Sequence, residues 1–226
     1  MSYTEKHAYF YDNDTANAND GYGLLYNWTA AMDGDTVEGG RGICPEGWHV
    51  PTDAEWTTLM NTAVSIYQPD VTPSPAFGSC DDFDGWEGGN TSIVKLLNDC
   101  TFYTSFCASY LDTIEYDYQN GLCTQEEYIE AQEYYYAEIN DPLLNATGFS
   151  ALPAGSYYMV GEFYGRDIFT GVVQNIFFWS SSPYDIWSYD VHTAYTRIWS
   201  GFLPYGGIIR VKDARARGFS VRCLRD

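Results

Sequence analysis

Hydrophobic and polar positions follow three different patterns along this chain. The first part carries the clearest helix. Trp56, Leu59, Met60 and Ala63 recur at spacings of three and four, which puts them on one helical face. Its start is Thr52-Asp53-Ala54-Glu55, a capping box in which the Thr hydroxyl and the Glu carboxylate each satisfy a free backbone N–H of the first turn. The pattern predicts a helix to about Ile66. Ahead of it, Gly23 to Trp28 reads as a strand or a strand-to-helix entry. Residues 12–22 and 33–42 are Asx- and Gly-rich, and so are expected to be loops. His49, beside Trp48 and Pro51, reads as a structural hydrogen-bonding residue.

The middle part changes character. Residues 67–90 hold three Pro with several Gly and Asp and are expected to be irregular. Ser92 to Phe106 has helical spacing, with Ile93, Leu96, Leu97 and Cys100 facing inward. A second capping box, Thr124-Gln125-Glu126-Glu127, opens a helix through about Ile139. Residues 67–145 are expected to form a helical, acidic insertion packed on one main domain that spans 1–226.

The last part alternates. Thr147 to Gly155 and Tyr157 to Val160 have strand character, and from Phe177 to Asp226 short strands alternate with turns. Within 177–226, Tyr184, Trp187, Tyr189, Tyr195, Trp199, Phe202 and Tyr205 are interleaved with Ser, Asp, Thr, Gly and Arg. Rigid aromatics beside small polar residues are the composition of a recognition surface. Aromatics along strands are also ordinary core residues, and Trp199 is expected to be one. Helices followed by a strand-rich half make the fold class α+β.

Charge sharpens this picture. The 226 residues carry a formal net charge of −20, which argues against nucleic acid and anionic membranes as partners. From Phe178 onward there are seven Lys/Arg and four Asp/Glu, a net of +3, so the remainder must carry −23. Between Lys95 and Arg166 no basic residue stands against eleven carboxylates. A mildly basic segment on an acidic body suits an acidic or polar partner; pairing of its Arg residues with body carboxylates is the alternative. No apolar run approaches the roughly 18 residues of a membrane helix. The N-terminus has no signal-peptide pattern.

Candidate chemistry is sparse. No Gly-x-Ser-x-Gly elbow, P-loop or dinucleotide fingerprint occurs. His7, His49 and His192 are scattered, without zinc spacing. Asp12, Asp14 and Asp20 form one run of hard oxygen ligands, and Asp81, Asp82, Asp84 and Glu87 another. Neither fits an EF-hand, and solvated acidic turns explain both; calcium is kept as a candidate on the second run only. Gln68-Pro69-Asp70 matches a sugar-specificity tripeptide of calcium-dependent lectins, but lacks the following Trp-Asn-Asp and reads as a turn. No other cofactor is expected.

Four ordered segments resemble a known family. They are Gly23-Leu24-Leu25-Tyr26-Asn27-Trp28 with Ala30-Ala31, and the run from Ile43 to Trp56 that contains Cys44-Pro45-Glu46-Gly47-Trp48-His49. The others are Gly148-Phe149-Ser150-Ala151-Leu152-Pro153-Ala154-Gly155, and Phe178-Trp179-Ser180-Ser181 with Gly218-Phe219-Ser220-Val221-Arg222-Cys223. Together they resemble the Fibrobacter succinogenes major paralogous domain, over roughly residues 21–66 and 147–226. The resemblance implies a C-type lectin-like fold, in the branch shared with formylglycine-generating enzymes. The C-terminal motifs are also similar to those of the variable target proteins of diversity-generating retroelements. On that likeness, residues from about Tyr184 to Arg217 are a diversified, ligand-contacting surface, and Trp179 and Phe219 are fixed framework.

The resemblance thus implies a non-enzymatic protein that meets a protein or glycan on a cell surface. The contact residues would be Tyr184, Asp185, Trp187, Tyr189, Asp190, His192, Tyr195, Arg197, Phe202, Tyr205, Arg210, Lys212, Asp213 and Arg215. A virion tip or a cell-surface display protein fits that role; the oligomeric state is left open. Lectin-type domains bring their termini together, which implies a Cys44–Cys223 bridge; two buried free thiols are the alternative. Cys80, Cys100, Cys107 and Cys123 could staple the insertion, although helical rise keeps Cys100 and Cys107 apart. Two rival functions remain. A formylglycine-generating enzyme uses a pair of cysteines near the C-terminal end, where this chain has Cys223 alone. A self-assembling envelope module would use the aromatic run for association.

Overall fold

A computed structural model describes residues 4–17, 21–67, 85–86, 97, 100–142, 144–152, 154–160, 166–172, 175–186, 191–200 and 207–226. The chain mixes helix and strand, an α+β protein, and divides into two compact units. Met1–Val94 with Pro153–Asp226 forms one, and Lys95–Leu152 the other.

The larger unit is built on a sheet of six strands. They are β4 (Gly85–Trp86), β5 (Ala154–Val160), β6 (Arg166–Val172), β7 (Asn175–Ile186), β8 (Val191–Ser200) and β9 (Gly207–Ala214). Their order is β4-β9-β8-β7-β5-β6, and only the β5–β7 pairing is parallel. Two short pairs bring the ends of the unit together. Near the N-terminus β1 (Ala8–Tyr9) pairs with β2 (Leu25–Tyr26). At the C-terminus β10 (Leu224–Arg225) pairs with β3 (Trp48–His49). Beside this second pair Cys44 and Cys223 form a disulfide, as the resemblance implied. It closes 179 residues of chain.

Helices are placed by local rules. A three-residue turn, α1 (Thr15–Asn17), precedes β2. The short α2 (Trp28–Ala31) starts at Asn27, whose Oδ1 accepts from the Ala30 N–H at 3.0 Å. The same oxygen accepts from the His7 N–H at 3.0 Å, while Nδ2 donates to the Glu5 carbonyl at 2.7 Å. Asn27 is fully buried, so these bonds replace the water it loses. The helix α3 (Asp53–Tyr67) begins as the capping box demands. The Thr52 hydroxyl accepts from the Glu55 N–H at 3.1 Å, and Glu55 Oε2 accepts from the Thr52 N–H at 2.8 Å.

Three tryptophans join these parts. Each is buried, and each spends its one N–H on a backbone carbonyl: Trp28 on Ser180 at 2.9 Å, Trp56 on Trp179 at 3.2 Å, Trp179 on Tyr26 at 2.7 Å. On one face of the sheet Trp28, Met32, Cys44, Val50, Phe177, Trp179, Ala194 and Phe219 form the central core. On the opposite face α3 lays Trp56 against Phe178 and Trp199. Trp199 is core, as expected.

The Gly218-Phe219-Ser220 motif threads between three strands, bridging Tyr157, Tyr26 and Phe178 in turn. Gly218 is required there because a Cβ would stand 2.8 Å from that of Tyr157. Gly42 is tighter still. Its φ is +55°, and a Cβ would lie 2.2 Å from the Ala31 carbonyl oxygen.

The smaller unit holds a hairpin of α4 (Cys100–Gln119) and α5 (Gln125–Ile139). The second capping box forms as predicted, with the Thr124 N–H and hydroxyl both donating to Glu127 at 2.8 Å. Tyr118 stacks on Tyr128 and Tyr110 on Tyr135 across the hairpin. These contacts explain a correction: the helix expected to stop at Phe106 runs to Gln119, because Tyr110 and Tyr118 of its later turns stack on tyrosines of α5. Of the residues expected to face inward there, Leu97 is buried; Ile93 and Leu96 lie outside the described residues. Strand character was also expected from Thr147, but strand begins only at Ala154. The preceding loop is held by Asn145, which accepts from the Ser150 N–H at 2.9 Å. Cys123 is a free thiol, so it is not a staple.

Candidate ligand-binding face

Alternation along β7, β8 and β9 sorts their side chains between the two faces of the sheet. Phe178, Arg197 and Arg210 are opposite one another in the ladders, and so share the α3 face. Tyr195 pairs with Lys212, and Tyr184 with Thr193, further along that face. The register shifts by two residues between Trp179 and Pro183, which keeps Tyr184 on that face and sets it opposite Thr193. The face therefore runs from a tryptophan-rich half under α3 to a tyrosine-rich half beyond the helix's first turn.

Asp53, the first residue of α3, stands at the boundary. Its carboxylate accepts from Arg197 Nη1 at 2.6 Å and from Arg210 Nη2 at 2.6 Å. Arg197 also donates to the Asp53 carbonyl and the Thr57 hydroxyl, both at 3.0 Å. Burial pushes the Asp53 carboxyl up. The Arg210 hydrogen bonds and the Arg197 charge outweigh burial and hold it below the usual carboxylate range.

Beyond this clamp four side chains interlock. The Arg210 guanidinium lies 3.9 Å from the centre of the Tyr195 ring, and the Lys212 ammonium 3.9 Å from that of Tyr184. The two rings meet edge to face at 5.4 Å. All four residues are half-buried, so the group is rigid yet open to solvent.

A row of serines fastens this face to the loop before α3. Ser180 Oγ donates to the Tyr195 carbonyl at 2.7 Å, and Ser181 Oγ accepts from the Gly39 N–H at 2.9 Å. Ser182 Oγ accepts from the Asp53 N–H at 2.8 Å and donates to Glu38.

The expected contact residues separate on this frame. Tyr184, Tyr195, Arg210 and Lys212 come together. His192 is half-buried and pairs with Asp185 in the β7–β8 ladder. Three expectations are corrected. Arg197, Asp213 and Arg215 are buried, because each completes an internal contact. Arg197 holds Asp53, Asp213 accepts from Arg217, and Arg215 donates to the Thr193 carbonyl at 3.0 Å while stacking on Trp28. Trp187, Tyr189, Asp190, Phe202 and Tyr205 lie outside the described residues, as do the calcium candidates Asp81, Asp82 and Asp84 and the tripeptide at 68–70. Among the described residues no cluster of three or more His, Cys, Asp or Glu is arranged for a metal. No described helix is long and apolar enough to cross a membrane.

Asp53, Thr57, Glu38 and the serine row were not foreseen as parts of the site. Asp53 was named only within the capping box that starts α3, and nothing nearby in the chain points to its arginines.

His49 behaves as its neighbours suggested. Its Nδ1 lies 2.7 Å from Asp226 Oδ1, and its Nε2 3.1 Å from both oxygens of Glu55. Burial alone would lower the imidazole pKa, but the two carboxylates raise it above its ordinary value.

No curated protein and no solved structure matches the chain. The family model of the Fibrobacter succinogenes major domain matches residues 1–225, and the chain belongs to that family.

Proposed function

We propose that this chain is a non-enzymatic recognition protein with a C-type lectin-like fold. Its tyrosine-rich face is the part a diversity-generating retroelement varies. The ligand is a protein or a glycan on a cell surface, and the chain is carried on a virion or a cell surface. The observation that carries this reading is the division of labour on one sheet face. Tyr184, Tyr195 and Lys212 are open to solvent, while the residues that hold the strands beneath them bond among themselves. Side chains on such a face can be exchanged without unsatisfying the backbone, because the ladders already pair it. Tyr and Arg are enriched among the residues that dominate protein recognition, Tyr because it buries area at low entropic cost and Arg because it directs hydrogen bonds. The disulfide commits Cys223 to Cys44, which supports binding over cysteine-based oxidation.

The test is a displayed library with positions 184, 195 and 212 randomised. Clones should keep melting temperatures within about 6 °C of the parent, since surface positions cost about 0.5 kcal/mol or less each and three are changed. Selection against a panel of unrelated proteins should enrich binders. Widespread loss of folding would show that these side chains are structural, and would defeat the reading. In the flanking DNA, a non-coding copy of the 3′ end that differs only at adenines should stand beside a reverse-transcriptase gene.

A further inference from the structure

We infer that this face takes an acidic peptide segment of a partner protein, with a side-chain carboxylate seated on the Lys212 ammonium beside the Tyr184 and Tyr195 hydroxyls. The inference rests on the proposal that this is the binding face, and adds the chemistry of what it binds.

Lys212 Nζ lies 3.9 Å from the centre of the Tyr184 ring and 5.9 Å from that of Tyr195. Among the described residues no carboxylate pairs with this ammonium, and neither phenol hydroxyl has a hydrogen-bond partner. That is unexpected in a chain of net charge −20. The reason is local. Two carboxylates beside this group are already engaged by arginines, Asp53 of α3 by Arg197 and Arg210, and Asp213 of β9 by Arg217. A cation and two hydroxyl donors are thus left together, half out of water, where an ionised acceptor forms stronger bonds than a neutral one.

Ring geometry favours a peptide over a sugar. A sugar binds aromatic residues by laying its C–H face on an open ring. Here one face of each ring carries a cation, Lys212 on Tyr184 and Arg210 on Tyr195. A carboxylate on a short, flexible side chain can reach all three donors.

The experiment titrates the full chain with acetylated pentaglutamate amide and follows the ring signals of Tyr184 and Tyr195 by NMR. Pentaglutamine amide and sialyllactose, a carboxylate on a sugar, are parallel arms. Saturable shifts are expected with pentaglutamate only. Lys212→Gln should weaken them by about fivefold or more, as loss of a charge-assisted contact does. Lys6→Gln, which removes an exposed cation paired with Asp33, should leave them unchanged. Equal response to pentaglutamine, or no effect of Lys212→Gln, would overturn the inference. A response to sialyllactose alone would replace the peptide with an acidic glycan. If the randomised library yields binders while pentaglutamate moves nothing, the acidic chemistry fails and the binding face stands. If the library itself does not fold, the face fails with it.

Discussion

Arg197, a side chain with no exposed surface, places Nη1 2.6 Å from Oδ1 of Asp53, a residue 144 positions earlier in the chain. This pair joins the first turn of α3 to the middle of β8. Arg210 reaches the other oxygen of the same carboxylate and then lies over Tyr195. The carboxylate is therefore a positioning group for the tyrosine-rich face, although it need not touch a ligand.

Removing that carboxylate should be costly. Asp53→Ala leaves a buried guanidinium without its counter-charge, a change expected to cost about 3 kcal/mol. Chemical denaturation at neutral pH measures it. The same group makes stability depend on acid. Its folded pKa lies below the ordinary 3.8, so its contribution is present above that value and is lost as pH falls through the folded pKa. The parent should lose stability in that range more steeply than Asp53→Ala. Equal slopes would mean the clamp contributes nothing.

His49 should act in the opposite direction. Its folded pKa lies above the ordinary 6.5, so its contribution is complete below 6.5 and disappears as pH rises through the folded value. His49→Gln should flatten the decline in melting temperature above neutrality. It should also loosen the C-terminal residues, because Asp226 is one of the two partners. Amide exchange at Leu224 and Arg225 reads that loosening.

Gly42 and Gly47 both have positive φ, yet they should respond differently to alanine. At Gly47, φ is +78° and a Cβ meets nothing within 4 Å. Backbone strain alone should cost about 1–2 kcal/mol. At Gly42 the same strain is joined by a Cβ at 2.2 Å from the Ala31 carbonyl oxygen and 2.8 Å from Val50 Cγ2. The cost there should reach about 3 kcal/mol or more. Thermal melts of the two variants check the order, and similar values would contradict it.

Short-range patterns in the sequence determined a good deal. Both capping boxes form, since Thr and Glu three residues apart need only each other and the turn between them. The apolar spacing of Trp56, Leu59, Met60 and Ala63 marked the inward side of α3, although Leu59 is only half-buried there. The ordered motifs from Gly23 to Cys223 marked the family. What the sequence left open was which cations turn inward. Arg197, Arg210, Lys212 and Arg215 are alike in type and close in the chain. Alternation alone assigns them to faces, without saying where α3 covers a face and where it stops. Only the tertiary structure decided that, by bringing Asp53 across 144 positions to Arg197 and leaving Lys212 beyond the helix end. A buried charge is stable only against a partner, and a partner so distant in sequence leaves no local pattern to read.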